Sequence, residues 1–252
     1  MRIIRKRRMR LALGLGLAGA VTATGIAIAV APTQTISGSV SPSVLPKHGF
    51  AAVTAKVNLD IISGDANQPP PLTRATVQFD NQVRVDNRGL AVCQPGKLEG
   101  TDAPSARRAC PAAIIGTGSA NAKVTFPDQA PIDAPAPITI FNGPPRGGNP
   151  VVIIHAYTTV PAPTTFVVTG TLQKAGGGGR KISFDIPPIA GGYGALVHFS
   201  ASLGKKFKVG KQRKSYANAK CSRGKIGVQG EFVYGDGTDN RLSAKVKCKG
   251  KG

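Results

Sequence analysis

The chain has 252 residues, with 33 basic against 12 acidic side chains and a formal net charge of +21. Its 32 glycines and 20 prolines are frequent but aperiodic, which excludes collagen, where glycine recurs at every third position. Hydrophobic residues make up 41% of the chain, enough for a packed core, so the composition argues against wholesale disorder.

The first 31 residues have the layout of an export signal. Residues 1–10 carry six basic residues and no acid, and residues 11–31 carry no charge. A basic segment before an apolar run is typical of a secretory signal, whose basic end stays in the cytoplasm. The apolar run of 21 residues is also long enough to span a bilayer as a helix. The sequence predicts either a signal peptide cleaved before Val30 or an uncleaved membrane anchor, with the remaining chain outside the cytoplasm in both cases.

A polar segment with three prolines follows at residues 32–48. Because proline and serine clusters are typical of connections, we expect a linker here, with one short strand at 35–40. The remaining length suits one large domain over residues 49–252.

Alternation of apolar and polar residues with period two recurs along this domain, which indicates β-strands. Apolar residues occupy the odd positions from Val53 to Ile61. One phase also continues from Val77 to Val85, which predicts a long strand with Asn81 on its inner face, or a bulge. Further strand candidates, bounded by proline or glycine, are 112–125, 137–142, 150–159, 165–174, 180–186 and 195–203.

Two of these candidates contain runs that are apolar on both faces, at 151–154 and 166–168. Such strands usually lie in the middle of a sheet, where both faces are covered. About ten to twelve strands separated by short breakers predict an all-β fold, a single sandwich or barrel-like domain.

Four cysteines follow the export segment, and an even count in an exported chain favours disulfides. Of the three possible pairings we favour Cys93 with Cys110 and Cys221 with Cys248, because each pair closes a local unit. The first pair would staple a polar loop over 93–110. No CxxC motif accompanies the cysteines and the three histidines are scattered, so zinc binding is disfavoured.

The C-terminal unit over 221–248 contains a predicted β-hairpin at 225–248, with turn residues around Gly235 to Asn240. If 215–221 paired directly with this hairpin, the second disulfide would have to cross two strand spacings, about 9.6 Å. Disulfides bridge Cα atoms no more than about 7 Å apart. We therefore expect strand 215–221 to cross to a facing sheet or to bend at Cys221.

Positive charge is concentrated near the C-terminus, where residues 205–252 hold 14 basic and 3 acidic residues. Such a surface should attract anionic cell-wall polymers or lipid headgroups. The alternative interpretation is that these lysines protect exposed strand edges. Nearby aromatic residues are few, so specific nucleic-acid binding is not expected. The candidate anion-binding residues are Lys205, Lys206, Lys208, Lys211, Arg213 and Lys214.

The sequence contains no recognisable catalytic, cofactor or metal motif. The acids follow no spacing that would pair them, and no GxSxG turn is present. His155 and His198 lie in predicted strands and are interpreted as structural or surface histidines. The glycine run at 176–179 lacks the following helix of a phosphate-binding loop.

A further pattern joins aromatic, glycine and cysteine positions in the last quarter of the chain. Its residues are 189–194, Leu203, Lys205, 216–221, 224–225, 230–237 and Cys248. In these residues the chain resembles a group of uncharacterised secreted β-rich bacterial proteins with a C-terminal paired-cysteine unit. The resemblance covers about residues 187–248. It implies an extracellular location and a β fold, and it assigns no activity or site residue.

These observations predict a secreted or extracytoplasmic, non-enzymatic protein of the cell envelope, either a binding or a structural module, with a basic surface for anionic components. The first alternative is a carrier that holds an apolar or carbohydrate ligand inside the β domain. The second is an envelope hydrolase, which would need two or three of His155, His198 and the acids to meet in one cleft.

Overall fold

The computed structural model describes residues 33–63 and 68–252. The predicted signal or anchor helix over 1–31 lies outside these ranges. Within them, no helix is both long and apolar enough to cross a membrane. The strands are β1 (Thr33–Ser41), β2 (Val44–Pro46), β3 (Ala51–Ala52), β4 (Thr54–Ile62), β5 (Leu72–Phe79), β6 (Val83–Val85), β7 (Ile114–Val124), β8 (Ile132–Arg146), β9 (Asn149–Thr158), β10 (Thr164–Lys174), β11 (Arg180–Asp185), β12 (Gly194–Leu203), β13 (Lys206–Val209), β14 (Gln212–Ser215), β15 (Ala217–Ala219), β16 (Lys225–Tyr234), β17 (Asp239–Lys247) and β18 (Lys249–Lys251).

Eleven of these strands form one sheet in the order β1-β4-β12-β7-β8-β9-β10-β11-β5-β16-β17. The two end strands, β1 and β17, pack beside each other, so the sheet curls into a nearly closed barrel. At this seam Gly38 lies so close to Val246 that a Cβ on the glycine would stand 3.2 Å from the valine Cγ2. The predicted all-β, barrel-like fold is confirmed.

The middle strands β8 and β9 are buried on both faces. Ile140 and Val152 point into the barrel and belong to its main core. Their neighbours Phe141 and Ile153 point outwards, yet both are fully buried beneath the loop that the first disulfide closes. The apolar run at 151–154 therefore has the position that the sequence predicts for it.

This covering loop is stapled by the Cys93–Cys110 disulfide, as predicted. It also contains a helix that the sequence pattern does not predict, α1 (Ala103–Ala109), together with a short 3-10 turn at Pro95–Lys97. Asp102 caps the helix, since its carboxylate accepts a hydrogen bond of 2.7 Å from the Ser105 amide. Seven residues with only two buried alanines are too few to show a helical apolar period.

A small sheet of three strands, in the order β3-β15-β6, packs over one end of the barrel interior. Its inner face carries Val83, Val85 and Ala217, whereas Arg84 and Asn218 alternate to its outer face. Strand β15 therefore belongs to a different sheet from the C-terminal hairpin, as the disulfide geometry requires. Beyond β15, the Cys221–Cys248 disulfide joins Cα atoms 6.0 Å apart.

The predicted continuous strand from Val77 to Val85 is wrong. β5 ends at Phe79, the chain turns, and β6 belongs to the small sheet. Asn81 is exposed in this turn, and the buried polar residue is Gln82. Its amide donates to Asp80 and to the Lys225 carbonyl and accepts from Ser222, so hydrogen bonds fully compensate for its burial.

The predicted linker over 32–48 needs a similar correction. Its described part contains β1, which pairs with β4 along its whole length, and β2, which pairs in parallel with β18 at the C-terminus. The short strand predicted at 35–40 is confirmed within β1, which is longer than predicted because Gln34 and Gly38 at inward positions interrupt the apolar alternation. In contrast, the hairpin predicted at 225–248 is confirmed as β16 and β17, with Lys225 opposite Lys247.

The stapled loop generates a stability prediction. Replacing Cys93 and Cys110 by alanine releases a cross-link between residues 17 apart in sequence. By the loop-entropy argument this should lower the free energy of unfolding by about 3 kcal/mol, measurable by urea denaturation. Hydrogen exchange of α1 should also accelerate, because the loop that carries the helix loses its covalent closure over β8 and β9.

The matched control removes Cys221 and Cys248, whose bridge spans 27 residues. This variant should lose a comparable amount of stability and yet leave exchange in α1 at the wild-type rate. Equal acceleration of α1 exchange in both variants would contradict a local role for the first bridge.

Candidate functional site

A groove of about 650 Å³ lies between the β13–β14 hairpin and the outer face of the small sheet. The hairpin pairs Lys208 with Arg213 and Phe207 with Lys214, which places basic side chains on both of its faces. The residues that line the groove are Phe50, Ala52, Arg84, Asp86, Lys206, Phe207, Lys208, Arg213, Lys214, Ser215 and Asn218. The groove therefore joins a local basic run to residues from two distant parts of the chain.

Five of the lining residues are basic and one, Asp86, is acidic. Among the described residues, Lys206, Lys208 and Arg213 form no ion pair with a carboxylate. Cations that converge without acidic partners produce a positive local potential, which a concave surface concentrates. The positive potential of the groove therefore favours the approach of an anionic group.

The single acid of the groove is already engaged. Its Oδ1 accepts a hydrogen bond of 3.2 Å from the Arg88 side chain, and its Oδ2 lies 3.9 Å from the Lys214 ammonium. Partial burial of Asp86 opposes its ionisation, but these bonds and the two positive charges outweigh the burial and lower its pKa below the ordinary value. Asp86 stays charged and offsets part of the Lys214 charge, so Arg84, Lys206, Lys208 and Arg213 carry the excess.

Phe50 contacts two cations, Arg84 from the groove lining and Lys220 beside the groove. The Arg84 guanidinium carbon lies 5.2 Å from the ring centroid, and the Lys220 ammonium nitrogen lies 5.4 Å from it. Both distances fit cation–π contacts, which position the charges without neutralising them. Sequence reasoning missed this group because positions 50, 84 and 220 meet only through the pairing of β3, β15 and β6.

The structure divides the predicted anion-binding residues. Lys206, Lys208, Arg213 and Lys214 line the groove. Lys205 and Lys211 do not line it: Lys205 precedes β13, where its carbonyl accepts the Tyr216 amide, and Lys211 lies exposed beyond the turn at Gly210. The density of charge along the sequence located the basic hairpin, but it did not show which of the six side chains face the groove.

Beneath the small sheet, the barrel interior holds a cavity of about 220 Å³. Its walls come from strands around the barrel and from the inner face of the small sheet. Valine, isoleucine, leucine, phenylalanine and alanine side chains make up most of the lining. The groove and the cavity therefore lie on opposite faces of β3, β15 and β6.

The two histidines weighed for catalysis lie in different environments. His198 Nδ1 lies 2.7 Å from Asp60 Oδ1, across the paired strands β12 and β4. Both side chains are substantially exposed, at 39% and 48% respectively. His155 is fully buried beneath the stapled loop. Within residues 33–63 and 68–252, neither imidazole has a hydrogen bond to a serine or cysteine side chain, and no three potential metal ligands cluster. The Thr101 hydroxyl does lie 3.1 Å from His155 Nε2, but Thr101 is partly buried and its hydroxyl donates its proton to the Leu98 carbonyl.

His155 has a structural partner in the stapled loop. Its Nε2 lies 3.0 Å from the Thr101 carbonyl oxygen, so this nitrogen carries the proton and donates. The Thr165 hydroxyl donates to the same carbonyl at 2.8 Å. Burial of the ring lowers the pKa of His155, although the Thr101 hydrogen bond opposes this shift. The neutral imidazole anchors the loop to β9.

No family model, curated protein or solved structure matches this chain. A functional proposal therefore depends on the chemistry of the groove and the cavity.

Burial of His155 predicts an acid-sensitive fold. Its pKa is lowered in the folded state, so the unfolded chain takes up the proton first as the pH falls below about 6.5. Stability that is complete above this value should decline from there down to the folded-state pKa. Thermal unfolding of His155→Asn from pH 8 to pH 5 should show a shallower decline than that of the wild type. Identical slopes would contradict the assignment of acid sensitivity to this ring.

Proposed function

We propose that this chain is an exported, non-enzymatic binding protein of the cell envelope, and that its basic groove binds anionic groups carried by envelope components. The observation that carries the proposal is the convergence of five basic residues and one acid on a single concave surface. Phosphate, sulfate and carboxylate groups of polymers or lipid headgroups share the chemistry that such a groove attracts.

The arrangement of the cations favours binding over simple edge protection. Lysines that only shield strand edges need no common concavity and no supporting aromatic ring. Here Phe50 contacts Arg84 and Lys220, and the β13–β14 ladder fixes the separation of Lys208 and Arg213. Cations held in place before binding lose little conformational freedom when an anion arrives, which strengthens binding.

The cysteines support the exported location within the proposal. Both pairs are bridged and the described residues include no free cysteine, which is compatible with an oxidising or extracellular environment. The basic and apolar segments over 1–31 supply the export signal, either as a cleaved peptide or as a retained anchor.

A binding role is also proposed in preference to a hydrolase because the candidate catalytic groups do not meet in a cleft. His155 holds the stapled loop, and His198 pairs with Asp60 on the outer barrel surface. The His198–Asp60 pair is exposed and lines neither the groove nor the cavity, and His155 lies elsewhere, so these groups form no common cleft for substrate.

Charge substitution tests the groove. Lys206, Lys208 and Arg213 are changed to glutamine together, and the affinity for polyphosphate is measured by isothermal titration at several salt concentrations. Because each lost phosphate contact lowers the slope of log affinity against log salt by about one, the slope should fall by about three and the affinity at low salt at least tenfold.

The control changes Lys174, Lys181 and Lys245 to glutamine, which alters net charge equally at exposed positions outside the groove. An equal loss of affinity in both variants would contradict a specific groove, because net charge alone would then explain the binding.

Vesicles of phosphatidylglycerol and of phosphatidylcholine identify the source of the anion. Retention on anionic vesicles without polyphosphate binding assigns lipid headgroups, and the reverse assigns a polymer.

A further inference from the structure

We infer that the barrel interior is a second binding site, which takes a hydrocarbon group of about nine carbon atoms. The size follows from the cavity of about 220 Å³, because an apolar cavity of about 150 Å³ is known to hold benzene. The site differs from the groove in position and chemistry, so it goes beyond the proposed function.

The cavity arises from small inward side chains at one end of the barrel. Gly38, Ala55, Ala201 and Ala217 all contribute to its wall. At Gly38 the missing side chain leaves the backbones of β1 and β4 as part of the lining. Interiors are normally packed with few voids larger than a water molecule, so this volume is a distinct feature.

The opposite end of the same interior is filled, which shows that the barrel is not loosely packed throughout. Leu59, Ile61, Phe232 and Tyr234 are each no more than 5% exposed and form one cluster there. The void is therefore confined to the end beneath the small sheet. A uniform packing defect would not be restricted in this way.

The wall chemistry selects hydrocarbon over carbohydrate. Ser37, Ser39 and Lys56 are polar lining residues, but they are exposed and flank inward positions of β1 and β4. Tyr216 is the buried polar member of the wall, and its hydroxyl is enclosed without a hydrogen-bond partner among the described residues. A sugar would surrender many hydrogen bonds to water and could replace few of them through this one buried hydroxyl, whereas a hydrocarbon surrenders none.

A hydrocarbon that enters also gains contacts on every side. Val77, Val152, Ile182 and Val228 belong to four different strands of the wall. In the empty protein, side chains that border a void have no atoms opposite them and lose dispersion contacts. Occupation restores these contacts and removes the apolar surface of the ligand from water.

The test measures binding of straight-chain primary alcohols from butanol to dodecanol by isothermal titration with the full chain. Affinity should rise about fourfold with each added methylene until the chain has about nine carbons, and should then stop rising. Glucose and maltose should show no binding. An affinity independent of chain length, or sugar binding in place of alcohol binding, would overturn the inference.

Filling the cavity gives a second measure. Ala201→Leu places three more carbons into the void and should weaken nonanol binding at least tenfold. Ala112→Leu makes the same change at an exposed position and should bind nonanol like the wild type. If Ala201→Leu binds nonanol with wild-type affinity, the inference fails. The chain-length series in the wild type remains decisive if that variant does not fold.

The two sites are distinguishable by the groove variant described above. Replacing Lys206, Lys208 and Arg213 should leave nonanol binding unchanged, because none of them lines the cavity. Loss of polyphosphate binding with retained nonanol binding supports two separate sites. Loss of nonanol binding in that variant would contradict an independent interior site.

Discussion

The return of one sheet upon itself is the constraint on which the rest of this molecule depends. Strand side chains alternate, so a nearly closed barrel directs one set inwards from all eleven strands. Two places then still expose apolar surface: the outer face of β8 and β9, and the barrel end near Ala217. The stapled loop covers the first and the small sheet covers the second. The stapled loop and the small sheet are therefore covers for the barrel.

Sequence patterns predicted elements whose causes are local. Period-two alternation located β11 and β12 almost to the residue, and short separations favoured the two observed disulfides. Elements with non-local causes were predicted only in part or not at all. Of β1, only residues 35–40 were predicted as a strand, because Gln34 and Gly38 lie on its inner face and pairing with β4 sets its full length. The cation group around Phe50 exists only after three distant segments pair, and no local pattern encodes that pairing.

The small sheet separates the basic groove from the apolar cavity of the barrel. On its outer side, charges act through water and are weakened by salt. On its inner side, valine and alanine side chains border a space whose attraction for solutes is non-directional and largely insensitive to ions. Residues 83–85 supply both sides by strict alternation, with Arg84 facing out between two inward valines. Three neighbouring residues thus line both of the proposed binding sites.

The seam has a consequence for the order in which the chain acquires its structure. Gly38 and Val246 meet there although they lie more than 200 residues apart. During synthesis from the N-terminus, β1 can pair with β4 but lacks its neighbour across the seam until β17 has been translated. Contacts of such long range form slowly, since the intervening chain has to be ordered first. Cys248 lies beyond β17, so the second sulfur bridge can lock the ring only after its last strand has arrived.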